Sequence, residues 1–159
     1  MGSYSSGLSR LRGRSVGEVI ARVVVAAGLA YDSYTHFDLA GSYAANVAAI
    51  SQGTLFRIEA VLAGLAALLV LVTRRRTAAI FALLVASSAL GAVLLYRYVN
   101  IDAGILGLLP DMYEPTWYPE KVLSAVAEAA ATIAAVYFTV AVHRQIRKVK
   151  TGHPAESVS

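Results

Sequence analysis

The sequence predicts an all-α protein, a bundle of four transmembrane helices in up-down-up-down order. Hydrophobic residues make up 57% of the 159 residues and charged residues only 15%, whereas soluble domains carry about a quarter charged residues. The apolar residues are collected in four stretches, each close to the roughly 20 residues that cross a bilayer as a helix. Basic residues lie at one end of each stretch, which is typical of membrane topology.

The helix boundaries are predicted from the apolar stretches and their flanking residues. The predicted segments are a basic cytoplasmic tail at 1–15, helices at about 16–38, 54–73, 77–98 and 119–143, and a basic, polar cytoplasmic tail at 144–159. Ser51 or Thr54 is suited to cap helix 2, and Pro119 is suited to the first turn of helix 4. The short basic turn 74–76 requires helices 2 and 3 to be antiparallel neighbours.

The distribution of charge predicts that both termini are cytoplasmic, because cytoplasmic loops of membrane proteins are enriched in Lys and Arg. Ten of the 14 Lys and Arg residues lie beside the termini or in the turn between helices 2 and 3: Arg10, Arg12, Arg14, Arg74, Arg75, Arg76, Arg144, Arg147, Lys148 and Lys150. We expect these residues to contact anionic lipid head groups. The net charge of +4 therefore does not indicate a nucleic-acid partner. A multi-pass protein of the cell membrane is predicted.

Helix 1 carries its ionisable residues on one face. Steps of three or four residues connect Glu18 and Arg22 with Asp32 and His36, and residues at this spacing share a helix face. A charge within hydrocarbon costs about 2.5–3.5 kcal/mol, so this face should turn toward the bundle interior. Glu18 and Arg22 are predicted to pair near the cytoplasmic side, and Asp32 and His36 near the outer end of the helix.

The other helices place ionisable residues at a similar depth, in the outer half of the bundle. Arg57 and Glu59 of helix 2 are two residues apart, so both cannot face one site. The predicted polar cluster comprises Asp32, His36, Arg57 or Glu59, Arg97 and Glu128. Three interpretations stay open: an ion-pair network that holds the helices together, a site for a small ligand or protons, and a divalent-metal site. One histidine among carboxylates is a weak metal signal, so no metal or cofactor is predicted.

Aromatic residues are predicted to anchor the outer end at the lipid–water interface, which Trp and Tyr favour. These residues are Tyr113, Trp117 and Tyr118, in the connection before helix 4.

Small residues at four-residue spacing predict close contacts between the helices, since they let backbones approach in a membrane. Ala60 and Gly64 on helix 2, and Ser87 and Gly91 on helix 3, are examples.

Two strings, 51–60 (SQGTLFRIEA) and 111–121 (DMYEPTWYPEK), resemble segments of small uncharacterised four-helix integral membrane proteins of high-GC Gram-positive bacteria (actinobacteria). With the helix pattern, the resemblance covers most of residues 16–142. It implies a bacterial cell-membrane protein and carries over no activity. The architecture is also loosely similar to the DoxX-like group, some members of which accompany quinol oxidation.

Three classes of function fit these observations. The first is a non-enzymatic membrane subunit or small-ligand-binding module, whose polar cluster organises the bundle, a homo-oligomer or a membrane complex. The second is a small proton-coupled transporter that uses the buried Asp, His and Glu residues, and the third is a subunit of a quinone-linked membrane enzyme. HExxH, GxSxG and phosphate-binding glycine-rich motifs are absent, which disfavours an enzyme. The absence of cysteine excludes disulfides and thiolate metal sites.

Overall fold

Four α-helices in sequence order build the fold. The computed structural model describes residues 16–101 and 107–151, with the backbone alone for 145, 146 and 148–151. The helices are α1 (Val16–Leu39), α2 (Gln52–Val72), α3 (Arg76–Tyr98) and α4 (Pro119–Thr151). α1 packs against α2 and α4, α3 packs against the same two helices, and α1 and α3 lie diagonally opposite with little contact. The predicted all-α, four-helix bundle is confirmed.

Contacts at the two ends of the bundle show the direction of the helices. Arg22, near the start of α1, donates to the carbonyl oxygen of Val70 near the end of α2. Ser33, near the end of α1, donates to the carbonyl oxygen of Ala60 near the start of α2 at 2.7 Å. The Phe138 ring, late in α4, lies 5.8 Å from the Arg22 guanidinium. α1 is therefore antiparallel to both α2 and α4, as up-down-up-down order requires.

The helix ends differ modestly from the predicted boundaries. Ser51 is the N-cap of α2, and its side chain accepts a hydrogen bond from the Thr54 backbone N–H at 3.1 Å. α4 continues beyond its predicted end at 143 and reaches Thr151, since Arg and Lys are good helix formers and favour the C-terminal end of the helix dipole. The predicted tail at 1–15 and the last eight residues lie outside the described residues.

Alanine fills much of the centre of the bundle, and most of the large aliphatic side chains point outward. Residues buried in the core include Ala63, Ala66, Ala79, Ala82, Ala86, Ala131 and Ala135. In contrast, Leu65, Leu84 and Ile133 are 45%, 61% and 72% exposed. Soluble proteins rarely expose continuous apolar surface of this kind. Membrane helices associate through small residues and leave the large ones to lipid.

Among the described residues, three helices are long and apolar enough to cross a membrane: Gln52–Val72, Arg76–Tyr98 and Pro119–Arg144. α1 has 24 residues but is not one of them; it carries the charged residues Glu18, Arg22, Asp32 and Asp38. Apart from Asp38 near its end, its exposed residues are nevertheless apolar or aromatic, as shown by Ile20 and Val23. The fourth span stays a prediction.

One of the two small-residue contacts occurs as predicted. Ala60 is buried, and a Cβ atom added at Gly64 would lie 3.1 Å from the Ser33 hydroxyl oxygen, so α1 and α2 approach closely there. The contact predicted through Ser87 and Gly91 is wrong. Ser87 is exposed, and no atom lies within 4 Å of a Cβ added at Gly91. α3 is buried instead through its alanines, on a different face of the helix.

Candidate functional site

The polar face of α1 turns into the bundle, as its spacing predicts. Glu18, Arg22 and Asp32 are 0%, 7% and 1% exposed, and the His36 side chain is 17% exposed. An apolar layer divides these residues into two polar centres at opposite ends of α1. The two centres have different contacts and therefore different chemistry.

The first centre joins α1 to the end of α2. The Arg22 Nη2 atom donates to the carbonyl oxygens of Val70 and Leu71, both at 2.7 Å, and Nε donates to Val70 at 3.0 Å. The last carbonyl groups of a helix have no partner within it, so Arg22 caps the C-terminal end of α2. With Glu18 and Arg74, these residues are called the Arg22 group below.

Glu18 completes the Arg22 group by an ion pair with Arg74, whose Nη2 lies 2.5 Å from the carboxylate. Arg74 belongs to the turn between α2 and α3, so this pair holds α1 against that turn. The pair between Glu18 and Arg22 stays a prediction. The sequence places Glu18 and the basic turn at the same end of the bundle. It did not identify Arg74 as the partner of Glu18, because 56 residues separate them along the chain.

The second centre, called the acidic cluster below, comprises Asp32, His36, Glu59 and Glu128. These residues come from three helices and are close enough for their charges to interact. The His36 Nδ1 atom lies 2.7 Å from Asp32 Oδ1 and 3.0 Å from the Asp32 carbonyl oxygen. Ser124 donates to Glu128 Oε1 at 2.8 Å. Each of these polar contacts stays within one helix.

Several oxygens of the acidic cluster are buried without a hydrogen-bond partner among the described residues. They are Asp32 Oδ2, Glu59 Oε1 and Glu128 Oε2, and the hydroxyl of Thr132, one turn further along α4, is in the same situation. Three carboxylates thus surround one histidine, with neither Lys nor Arg among the four members. Like charges in a low-dielectric interior disfavour simultaneous ionisation, so binding of a proton would lower the repulsion within the cluster.

The described residues do not form a metal site. No group of three or more His, Cys, Asp or Glu side chains among them is arranged to hold a metal ion. The interpretation of the cluster as a divalent-metal site is therefore not supported by its geometry.

Two arginines of the predicted polar cluster lie elsewhere. Glu59 takes the inward position on α2. Two residues correspond to about 200° of rotation around the helix, so Arg57 lies on nearly the opposite face and is exposed. Arg97 lies at the end of α3, with its guanidinium 5.1 Å from the Tyr98 ring and 5.7 Å from the Trp117 ring. Neither arginine belongs to the acidic cluster.

Arg97 belongs to a third set of residues, called the Trp117 group below: Arg97, Glu114, Trp117 and Lys121. The Lys121 ammonium lies 5.6 Å from the Trp117 ring and donates to the Glu114 carbonyl oxygen. The Glu114 carboxylate accepts a hydrogen bond from the Thr116 backbone N–H at 3.0 Å. This bond lowers the pKa of Glu114 below its usual range, which keeps the carboxylate ionised.

The predicted aromatic anchors differ in their surroundings. Tyr113 and Trp117 are each 39% exposed, which leaves them accessible to an interface. Tyr118 is half-buried and interacts with Tyr43 of the other loop at this end; burial is the main cause that raises the pKa of Tyr118 to about 12. Tyr118 therefore packs the two loops together, and the interfacial role of the other two stays a prediction.

A loop residue that sequence reasoning left without a role, Asn46, joins the same two loops. Its Nδ2 atom donates to Gln52 Oε1 at 2.7 Å and to the Asp111 carbonyl oxygen at 2.6 Å. Every residue has a backbone carbonyl group, so the sequence could not indicate that Asn46 would bond to the one at Asp111. It fixes the loop that precedes α4 over the start of α2, near the acidic cluster.

No family profile, curated protein or solved structure matches this chain. The resemblance to small actinobacterial membrane proteins stays a prediction. The function must therefore be inferred from the chain's own residues.

Proposed function

We propose that this protein is an integral membrane protein with four transmembrane helices and cytoplasmic termini, which exchanges protons at its acidic cluster as the core of a small proton-coupled carrier. The outward-facing large aliphatic side chains and the alanine core support the membrane location. α1 fits a fourth span because Glu18, Arg22 and Asp32 are buried in the bundle and its outer face is apolar along most of its length. The excess of Lys and Arg at the Arg22 end supports the orientation.

The main support for a proton-binding site is that the acidic cluster contains more buried hydrogen-bond acceptors than donors. Asp32, Glu59 and Glu128 each present an oxygen without a donor among the described residues. Leaving a buried charge uncompensated is strongly unfavourable. The unpartnered oxygens have almost no accessible surface, and a proton neutralises them without needing additional volume.

Comparison with the Arg22 group argues against a purely structural role for the acidic cluster. A structural network joins separate elements, as Arg22 does through the carbonyl groups of α2 and Glu18 does through Arg74. The bonded pairs of the acidic cluster, Asp32 with His36 and Ser124 with Glu128, each lie on one helix. Such pairs do not hold helices together, but they suit groups that change protonation.

The surroundings of the cluster give the direction of access. The acidic cluster has two members on α1, Asp32 and His36. Of these, His36 is the more exposed, with 17% of its side chain accessible, so protons reach the cluster from the predicted outer side. Toward the Arg22 group, Val25 and Leu29 of α1 belong to one buried hydrophobic cluster with Ala135 and Phe138 of α4. This apolar layer separates the cluster from the cytoplasmic side, so transfer requires a conformational change, as in a carrier.

Proton flux into liposomes tests the proposal. Purified protein is reconstituted with a pH-sensitive dye inside, and flux is driven by an imposed potential. We expect the wild-type rate to exceed that of protein-free liposomes, and Glu128→Gln to return it to that background because the deepest proton acceptor is lost. Glu120→Gln is the control, since Glu120 is exposed in the first turn of the same helix, and it should keep the wild-type rate. Flux that is unchanged in Glu128→Gln contradicts the proposal.

A further inference from the structure

The Trp117 group places two cations beside one indole ring. The Arg97 guanidinium carbon lies 5.7 Å from the Trp117 ring centre and the Lys121 ammonium 5.6 Å from it. The Tyr98 ring is a second aromatic neighbour of Arg97, and its centre lies 5.1 Å from the guanidinium carbon. Cation–π contacts of this kind stabilise the two charges together despite their mutual repulsion.

The positive charge of this group exceeds its negative charge. Glu114 is the carboxylate whose charge acts on both cations, and it stays ionised because the Thr116 N–H lowers its pKa. The Glu114 carboxylate accepts a hydrogen bond from the Thr116 backbone N–H. Lys121 donates to the backbone carbonyl oxygen of Glu114 and not to its carboxylate. The Arg97 Nε atom is buried without an acceptor among the described residues. Within the described part of the chain, one acid therefore acts on two cations, and one guanidinium N–H has no acceptor.

From this arrangement we propose that the Trp117 group binds an anionic phosphate, of the kind carried by phospholipid head groups. An arginine whose flat face contacts aromatic rings can still donate hydrogen bonds from its edge, and the N–H groups of this edge match the oxygens of a phosphate in charge and geometry. The exposed Trp117 and Tyr98 rings suit the depth of head groups. The site lies at the opposite end of the bundle from the Arg22 group and uses none of the acidic cluster, so it is independent of proton exchange.

The fluorescence of Trp117 measures this binding directly, because it is the one tryptophan in the chain. Protein in neutral detergent micelles is titrated with phosphatidylglycerol, with phosphatidylcholine and with inorganic phosphate. We expect a saturable change in emission with phosphatidylglycerol and a weaker one with phosphatidylcholine, whose choline balances the phosphate. A response to inorganic phosphate at similar affinity would assign the site to the free anion, and no response to it would assign the site to the lipid.

Arg97→Gln should weaken the binding about tenfold, which corresponds to the loss of one charge-assisted hydrogen bond. Arg57→Gln is the matched control, because it removes an exposed arginine and should leave the titration unchanged. If Arg97→Gln does not give a monodisperse protein, Lys121→Gln tests the same expectation. The proposal is overturned if the wild type shows no saturable response, or if the Arg97 and Lys121 variants both bind like the control.

Discussion

Replacing Arg22 with methionine should lower the free energy of unfolding by about 3 kcal/mol, since hydrogen bonds to charged groups contribute about 1.5–3 kcal/mol each. Arg22 donates to the carbonyl oxygens of Val70 and Leu71 within the bundle, and methionine keeps much of the side-chain volume but donates nothing. The carbonyl oxygens of Val70 and Leu71 would then lose this cap. Unfolding in mixed detergent micelles, followed by circular dichroism, measures the loss.

The control for this prediction is Arg57→Met. Arg57 is exposed, so its replacement should change stability by no more than about 0.5 kcal/mol. Equal effects of the two substitutions would show that the loss of an arginine charge, and not the cap on α2, determines stability.

Gly28→Ala and Gly91→Ala should have opposite effects on stability. A Cβ atom at Gly28 would lie 2.8 Å from the Ala131 Cβ and 2.9 Å from the Ala127 carbonyl oxygen, so α1 and α4 would have to separate at a cost of about 1–3 kcal/mol. A Cβ atom at Gly91 meets nothing within 4 Å. Alanine there should stabilise the helix by up to about 1 kcal/mol.

The same unfolding experiment measures both glycine variants. Because each substitution adds one methyl group to a helix, differences in helix propensity cancel and packing decides the sign. A Gly28→Ala protein as stable as Gly91→Ala would mean that α1 and α4 are not in backbone contact at this position.

Helix periodicity made the buried face of α1 predictable. Residues that recur every three or four positions must share a face, and hydrocarbon disfavours charge, so the inward orientation of Asp32 and Glu18 follows from the sequence. Glu128 was predictable from its depth in helix 4, because hydrocarbon disfavours a charge at that depth. These predictions depend on local geometry and on the solvent alone.

The partners of the buried residues could not be predicted in the same way. Arg22 bonds to backbone carbonyl oxygens, which every residue has and no side chain marks. Depth alone suggested that Arg97 would meet Asp32 and Glu128, but its long side chain starts at the end of α3 and contacts aromatic rings there. Such long side chains commonly reach toward the interface. The choice between Arg57 and Glu59 required the rotation of α2, which its nearly uniform apolar surface does not reveal.

Infrared spectroscopy measures the protonation of the acidic cluster directly, through the carbonyl stretch of a protonated carboxylic acid. At neutral pH, we expect such a band in the wild-type protein because Asp32, Glu59 and Glu128 cannot all stay ionised in the bundle. The band should weaken or disappear in Glu128→Gln and persist in the exposed control Glu120→Gln. A spectrum with every carboxyl group ionised at neutral pH, or a band that none of Asp32→Asn, Glu59→Gln and Glu128→Gln alters, would contradict a proton-binding cluster.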